Sequence, residues 1–598
     1  MDDPKFPKKS HHVVKWILGI AGIILILLLA TAWYINKRWK PLLAEAIKST
    51  VIEATDSLYS VDFSDIKINI LSGGVTIDHI QINPNLHVYQ KLIHQGLAAE
   101  NIAQLSINSL SLKNVNPIKV YRYRKLDIAD VNIDQPSLIL FYTKLKNQKN
   151  KIALNKTPYD RIKKVLKEIK IGTLFLADVK LKYVEKSNDK RKVTELDKVN
   201  IRLNDILIND TSALDKKRLF STKDIIAEIS DYDFATPDSM YHLNIKHLTI
   251  SSQKKQLVVS GIGLIPRYGD MAFSEQFDFQ QERYKVLFDT LVANNINLNQ
   301  LIDHRIIATS SVKLMNGELA VFLNRDKPYK AIDKSQNFPH VALQRVAWGI
   351  AADTVTVKNL DINYTEYNPK TKSEGTTFFN ELNGQIFNVT NVDDVLNKNH
   401  FANAYATTYL MGKGKLNVHI QFDLTDSKGA FSYDGSLGEM PTSAFNRLTK
   451  PLAMVTTSSG KINSMTFNAK GNSDGAKGSV ILKYEDLNVV LMKKDERANF
   501  KRLGLISYFA NALLLEHSNP LENGKLRVAN VYYKRPLYGS FFNLMWKVVF
   551  AGVKESVGIT PEKEARLKIK ARNYQEARQR REHRKLERQE RRAARNNK

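Results

Sequence analysis

Apolar and polar residues alternate along most of this chain beyond residue 60. Ile66, Ile68 and Ile70, for example, are separated by Lys67 and Asn69. Side chains of a β-strand point alternately to its two faces, so a period of two predicts strands with one apolar and one polar face. Turn residues recur about every 8–12 positions, as successive hairpins require. These features predict a mainly β protein whose body is an antiparallel sheet.

Helical patterns are fewer, and each is expected to form a helix that packs on the sheet. The segment TPYD at 157–160 combines an N-cap residue, a proline at the first helical position and a capping-box acid. A second pattern begins near Ser443, and Pro451 is expected to kink or end it. A third runs from about residue 497 to residue 516, with apolar residues on one side.

Residues 16–36 form a run of 21 residues without a charge. About 20 apolar residues cross the ~30 Å hydrocarbon core of a bilayer as a helix. Trp16 at one end, and Trp33 and Tyr34 at the other, lie where interfacial aromatic residues occur in membrane anchors. The run therefore predicts an uncleaved transmembrane anchor after a cytoplasmic N-terminus of residues 1–15. The alternative is a cleaved signal peptide with a small-residue cleavage site, and both interpretations export the body.

The chain also repeats itself weakly. Segment 176–186 is similar to segment 357–367 at an offset of 181 residues, which aligns Tyr183 with Tyr364. Just beyond, the segments that begin at residues 199 and 382 are similar at an offset of 183. Self-similarity over this distance predicts two copies of one β unit along the chain. Chance similarity between alternating strands is the alternative.

Composition and motifs exclude several classes of function. The 598 residues include no cysteine, which excludes disulfide scaffolds, thiolate zinc sites, iron–sulfur clusters and thiol nucleophiles. The sequence also lacks the phosphate-binding loop, the zinc-protease helix, the EF-hand spacing and the nucleophile elbow. We therefore expect a non-enzymatic protein with no catalytic residue, no cofactor and no metal site. An exported hydrolase whose catalytic residues are dispersed along the chain is the alternative.

Positive charge is concentrated at the C-terminal end of a chain whose formal charge is +28. Residues 562–598 contain 15 Lys and Arg against 6 Glu, so their net charge is 15 − 6 = +9. This composition predicts a basic tail at 561–598, either solvated or in contact with an anionic membrane. The preceding segment 540–559 is too short in its apolar part to span, and it suits a helix in a membrane interface or against the sheet. Nucleic acid is not expected as a partner, because the body is exported and carries no recognition module.

Two stretches of the sequence resemble the AsmA-like envelope proteins. The start of the chain, with one membrane span, a Lys40-Pro41 junction and the segment VDFSDIKINILSGGVTIDHIQINP (61–84), resembles the start of that family. Segment 429–492 is similar to the family's terminal region and ends in its Tyr-x-Asp-Leu motif. Tyr484, Asp486 and Leu487 match that motif, and SFFNLMWK (540–547) matches the motif that follows it.

The resemblance implies an elongated, curled sheet with an apolar groove, a few packing helices and one N-terminal transmembrane helix. It implies an N-terminal β region at 41–340 and a C-terminal AsmA-like β region at 341–560. The expected location is the inner membrane of a diderm bacterium, with a single span and the body in the periplasm. The expected partners are membrane phospholipid and the inner membrane itself, and the expected function is phospholipid transport or outer-membrane lipid homeostasis.

A groove of this kind would be lined by inward-pointing apolar residues of the strands. The two repeated segments supply the candidate groove residues Val179, Leu181, Tyr183, Leu360, Ile362 and Tyr364. The alternative, in a different class, is a non-enzymatic envelope scaffold or outer-membrane assembly factor. Its sheet would have filled cores, and its partner would be an outer-membrane or other envelope protein.

Overall fold

The computed structural model describes residues 39–69, 74–114, 119, 122–143, 157–163, 166–187, 190–215, 217–494, 500–503 and 515–560, together with isolated residues beyond 560. The predicted anchor at 16–36, with Trp16, Trp33 and Tyr34, lies outside the described residues, as does most of the basic tail at 561–598. Within the described part of the chain, no helix has both the length and the apolar character needed to cross a membrane.

The chain divides into two compact units. Unit 1 comprises residues 1–233, 245–261 and 292–298, and unit 2 comprises residues 234–244, 262–291 and 299–598. The fold is mainly β in both, and most of the described helices are short.

Unit 1 is a mixed sheet with helices packed on it. Its elements are α1 (Trp39–Ala54), β1 (Tyr59–Asp62), β2 (Asp65–Asn69), β3 (Gly74–Pro84), α2 (Leu86–His94), β4 (Asn101–Lys113), β5 (Lys125–Asp134), β6 (Ser137–Thr143), α3 (Pro158–Ile162), β7 (Glu168–Ser187), β8 (Lys190–Ile208) and β9 (Thr222–Ala235). β3 pairs antiparallel with β1, β2 and β4, and β4 pairs antiparallel with β5 and β6. Both β5 and β6 pair in parallel with β7, and β7, β8 and β9 follow as antiparallel neighbours.

The core of unit 1 lies on the apolar face that the alternation predicts. Ile47 and Val51 of α1 are almost completely buried against this face, as are Leu112 of β4 and Leu126 and Ile128 of β5. Burying a side chain of this size contributes about 1.5–3 kcal/mol relative to its exposed state. The helix and the sheet of unit 1 therefore stabilise each other.

Residues 234–304 are shared between the two units. Their elements are β10 (Tyr241–Ser251), β11 (Gln256–Pro266), α4 (Asp270–Glu275), β12 (Arg283–Asn294) and α5 (Leu298–His304).

Unit 2 continues with a second run of paired strands. Its elements are β13 (Ile306–Asn324), α6 (Pro339–Gln344), β14 (Gly349–Asn368), β15 (Ser373–Thr390), α7 (Asp393–Leu396), β16 (Phe401–Leu410), β17 (Gly414–Asp423), β18 (Phe431–Leu437), β19 (Met440–Pro441), α8 (Asn446–Ala453), β20 (Val455–Asn472), β21 (Gly475–Lys494), β22 (Phe500–Arg502), β23 (Ala529–Lys534) and α9 (Phe541–Ser556). β13 and β14 are parallel, whereas β14 to β18 are successive antiparallel neighbours. β20 pairs antiparallel with β18, β19 and β21, and β21 pairs antiparallel with β22 and β23.

The prediction of an antiparallel sheet is wrong for three of the described strand pairs, β5–β7, β6–β7 and β13–β14, which are parallel. Parallel neighbours need a crossover of about a dozen residues or more. Residues 144–167 and 325–348 supply such crossovers, with α3 in the first and α6 in the second. Alternation determines which face of a strand is apolar, but it carries no information on the direction of the neighbouring strand.

Two of the three helix predictions are confirmed, and one is wrong in its described part. Thr157 and Asp160 form the expected capping box at the start of α3, but this helix ends at Ile162, and Ile169, which the helical pattern included, lies in β7. α8 contains Pro451 and ends two residues later at Ala453, and its C-cap residue Met454 adopts a left-handed conformation. Residues 500–502, however, form the short strand β22 paired with β21, so the third helix does not begin there.

The internal repeat is confirmed as a repeated hairpin. β7–β8 and β14–β15 both have bulges at corresponding positions, between Leu176 and Val179 and between Val357 and Leu360. Each bulge holds a left-handed residue, Asp178 in one copy and, 181 positions later, Asn359 in the other. Its backbone N–H donates to an asparagine Oδ1 on the next strand in both copies, at 3.0 Å in the first and 3.2 Å in the second.

These two asparagines give a test of the repeat. Asn200→Ala and Asn383→Ala each remove the acceptor of a bulge N–H, and we expect each to lower the free energy of unfolding by about 1 kcal/mol. Urea denaturation of the single and double variants measures this change. Additive losses of similar size support two equivalent bulges, whereas an effect in one copy alone would contradict the equivalence.

Candidate functional site

The unit 1 candidates Val179, Leu181 and Tyr183 lie together on the apolar face of β7. Leu181 and Tyr183 pack against the buried Ala103 and Leu140, and all three candidates remain partly exposed. The Tyr183 ring also stacks on that of Tyr142, with 6.4 Å between the ring centroids. This triplet continues the core of unit 1 toward the end of the strand.

The unit 2 candidates Leu360, Ile362 and Tyr364 lie together on one face of β14. Their neighbours in β13 are Gly317, Leu319 and Val321, and their neighbours in β15 are Leu382, Phe379 and Thr377. Leu360 is buried, whereas Ile362 and Tyr364 are partly exposed. The two triplets belong to different units, and each is brought together within its own unit.

A glycine makes room for this packing. A Cβ atom on Gly317 would lie 2.4 Å from the Phe288 ring and 2.8 Å from Leu360 Cδ1. The absence of a side chain at this position therefore lets Phe288 and Leu360 occupy the same apolar surface.

Around Ile362 lies a set of apolar residues that the described elements cover only in part. Leu314, Leu319, Val357 and Ile362 share one face of β13 and β14, and all are only partly buried; we call them the apolar strip. Phe379 on β15 lies beside Ile362 and packs against the core of unit 2, so it connects the strip to that core. Sequence reasoning found Ile362 but missed its partners on β13 and β15. Their alternation is visible in the sequence, yet their pairing with β14 is not.

The strip ends in polar groups beside Tyr364. Tyr364 Oη donates a hydrogen bond to Glu366 Oε1 at 3.1 Å, and Glu366 Oε2 pairs with Arg325 at 3.1 Å. Burial and the neighbouring Glu366 carboxylate raise the pKa of Tyr364 well above its usual value. Its phenol therefore stays neutral at physiological pH.

Elsewhere in unit 2 the apolar face is a filled core. Phe541, Leu544 and Val548 of α9 are at most 2% exposed, and they pack with the apolar residues of β16–β21. A Cβ atom on Gly552 would lie only 2.3 Å from Val480 Cγ2, so α9 approaches β21 very closely. The part of the sheet beneath α9 is therefore closed to a ligand.

Because α9 lies so close to β21, we expect the substitution Gly552→Ala to lower the free energy of unfolding. Gly552→Ala gains about 1 kcal/mol of helix propensity, but the clash with Val480 is expected to outweigh this gain. We expect a net loss of about 1–2 kcal/mol in the free energy of unfolding, measured by urea denaturation. Gly269→Ala is the control, because no atom lies within 4 Å of the Cβ position there. A stabilised Gly552→Ala variant would show that α9 is not held against β21.

Tyr484, Asp486 and Leu487, the three residues singled out by the sequence resemblance, lie where the C-terminal segment contacts the sheet. Tyr484 Oη donates to the Glu516 carbonyl at 2.9 Å, and the carbonyl of Ser556 lies 3.4 Å away. Asp486 adopts a left-handed conformation, and Leu487 is buried in the core of unit 2. Desolvation raises the pKa of Tyr484 to about 12. These contacts give the motif a structural role.

Tyr484→Phe is expected to lower the free energy of unfolding by about 1–2 kcal/mol at pH 8, because a buried carbonyl loses its donor. The native pKa lies above the ordinary value of 10, so the protonated phenol's contribution is complete below pH 10 and is lost as the pH rises toward 12. Urea denaturation at pH 8 and pH 11 checks both points. The wild type is expected to lose more stability than Tyr484→Phe over this interval, and equal losses would contradict the assignment.

A groove of about 610 Å³ lies across β14–β18. The rings of Tyr405 and His419 stack there with 4.4 Å between centroids, and His419 Nδ1 lies 3.0 Å from Asp434 Oδ1. These residues carry no distinguishing signal in the sequence, because they only alternate with the apolar ones along the same strands. Within the described residues, no group of three or more histidine, aspartate or glutamate residues is placed to hold a metal ion.

Comparisons with known proteins add no identification. The sequence matches no model of a known protein family, and no curated protein is significantly similar to it.

Proposed function

We propose that this protein is a membrane-anchored, periplasmic lipid-binding protein of the AsmA-like type. In this proposal residues 16–36 hold it in the inner membrane of a diderm bacterium, and the sheet forms an elongated, curled groove. The protein contributes to phospholipid transport or to outer-membrane lipid homeostasis. It acts by passive binding, without a catalytic residue or a cofactor.

The observation that carries the proposal is the partial exposure of the apolar strip. Leu314, Leu319, Val357 and Ile362 form one face across paired strands, yet none of them is fully buried. Soluble proteins ordinarily cover a contiguous apolar surface, so one left open indicates a binding surface. The strip is uncharged and follows the strand direction, which suits an extended acyl chain.

The free energy gained by burying acyl chains is large enough for the protein to carry a phospholipid. Each methylene taken from water into apolar surroundings contributes about 0.8 kcal/mol, so about 30 methylenes of a phospholipid contribute about 25 kcal/mol. A protein that only partly covers the chains can therefore hold a lipid firmly without any specific polar contact. The head group can remain in water at the open side.

Photocrosslinking in cells tests this proposal on the whole protein. A photoreactive p-benzoyl-phenylalanine at position 362 or 181 is expected to form a phospholipid adduct, detected by mass spectrometry of the purified chain. The same residue at positions 363 and 182, which lie on the opposite face of the same strands, is the matched control. Adducts at least tenfold more abundant on the apolar face support the groove.

A second variant tests whether the surface is continuous. For this test the photoreactive residue is placed at position 319, the neighbour of Ile362 on β13. Ile362→Asp is expected to abolish the lipid adduct there, because a carboxylate would then lie beside the acyl chain. Asn363→Asp adds the same charge on the opposite face and is expected to leave the adduct intact. Circular dichroism verifies that both variants fold. Equal adducts on both faces, or none on either, would overturn the proposal.

The filled core beneath α9 favours a second candidate, an envelope scaffold or outer-membrane assembly factor. Phe541, Leu544 and Val548 close that part of the sheet, and a protein with closed cores throughout would have no path for lipid. The same photocrosslinking experiment separates the candidates. A scaffold is expected to give protein adducts and no lipid adduct at any apolar-face position.

A further inference from the structure

The three most exposed apolar side chains of α9 are all aromatic and lie on one face of the helix. Phe542, Trp546 and Phe550 follow one another at intervals of four residues, and they are 66%, 40% and 41% exposed. Residues four apart lie one above the other on a helix, so the three rings form a continuous ridge. We call Phe542, Trp546 and Phe550 the aromatic ridge.

This arrangement is unusual for a helix packed on a sheet. The opposite face of α9 is already satisfied, because Phe541, Leu544 and Val548 are buried in the core of unit 2. The face turned to solvent would ordinarily be polar in such a helix. Here it carries three large aromatic side chains, none of which is buried in that core.

The helix holds the ridge in a defined position. Gly552 lies against Val480, and the N-cap Ser540 accepts a hydrogen bond from Asn543 N at 3.4 Å. The Trp546 and Phe550 rings stack, with 5.7 Å between their centroids. The aromatic surface is therefore prearranged and needs little ordering when it meets a partner.

The charges around the ridge indicate what that partner is. Lys547 and Lys554 lie on the same helix, and Lys554 Nζ is 5.8 Å from the centroid of the Phe550 ring. The one acidic residue of α9 is Glu555, and the following segment 562–598 has a net charge of +9. Aromatic rings with lysines beside them suit the head-group region of a bilayer, and a basic segment is attracted to anionic lipids.

We propose that the aromatic ridge of α9 docks the C-terminal end of the protein onto the surface of an anionic phospholipid bilayer. The rings enter the head-group region while Lys547 and Lys554 contact the lipid phosphates. This contact is separate from the predicted N-terminal anchor. It does not depend on whether the apolar strip carries lipid.

Vesicle sedimentation tests the docking directly. The full-length chain, held in phosphatidylcholine nanodiscs, is mixed with sucrose-loaded vesicles of phosphatidylcholine with 30% phosphatidylglycerol or of phosphatidylcholine alone. We expect the chain to pellet with the anionic vesicles at least tenfold more efficiently than with the neutral ones. The variant Phe542→Gln, Trp546→Gln, Phe550→Gln is expected to lose this binding, because it removes the ridge at exposed positions.

A matched variant removes three exposed aromatic residues elsewhere. Tyr123, Tyr409 and Tyr532 are 56%, 39% and 68% exposed, and their joint replacement by Gln is expected to leave vesicle binding unchanged. Vesicles with brominated phosphatidylglycerol add a depth measurement. They are expected to quench the fluorescence of the wild type more than that of Trp546→Phe, which keeps the ridge apolar.

Three results would overturn the proposal. The first is that the wild type does not bind anionic vesicles, and the second is that the ridge variant binds them as well as the wild type does. The third is that the ridge joins two copies of the chain, seen as a wild-type dimer that dissociates in the ridge variant. The photocrosslinking at position 362 is expected to be unaffected by the ridge variant. Failure of docking is therefore distinguishable from failure of lipid binding in the groove.

Discussion

The apolar face of the strands is the constraint on which the rest of this structure depends. The strands of both cores present such a face, and the described elements that cover it differ along the chain. In unit 1 the helix α1 buries Ile47 and Val51 against the sheet. In unit 2 the helix α9 closes the face over β21 with Phe541, Leu544 and Val548. On β13 and β14 the apolar strip is only partly covered, and this difference in cover is what makes the strip a candidate lipid site.

The sequence of a 20-residue strand can break the regular alternation of apolar and polar residues. The strand then keeps one apolar face only if a bulge compensates for the break. In β14 the apolar residues Val357 and Leu360 are three positions apart, a spacing that would turn Leu360 to the polar face of a regular strand. The bulge at Asn359, with φ of +53°, takes up the extra residue and returns Leu360 and Ile362 to the apolar face. Asp178 does the same in β7. The left-handed conformation is least costly for Gly, Asn and Asp, which explains the residue type at both bulges.

The candidate site was predicted from the sequence in part. Alternation placed Val179, Leu181 and Tyr183 on one face, as it did Leu360, Ile362 and Tyr364, and the structure has both triplets arranged in this way. The partners of Ile362 could not be predicted, because pairing between β13 and β14 spans a crossover of 24 residues and leaves no local signal. The capping box of α3 was predictable since its hydrogen bonds join residues three apart. The strand at 500–502 was missed because its partner, β21, and not its own sequence, determines its conformation.

The sequence alone determined the mainly β class, the repeated hairpin and the residues that share each apolar face, because all three follow from side-chain direction along a strand. It also determined the charged tail and the 21-residue apolar run, which are properties of composition. Only the tertiary structure decided that three strand pairs are parallel and that α9 seals one part of the apolar face. It also decided that the strip around Ile362 stays partly open and that the aromatic ridge faces solvent. These outcomes depend on which elements pack together over long separations, and no periodicity in a single segment encodes that choice.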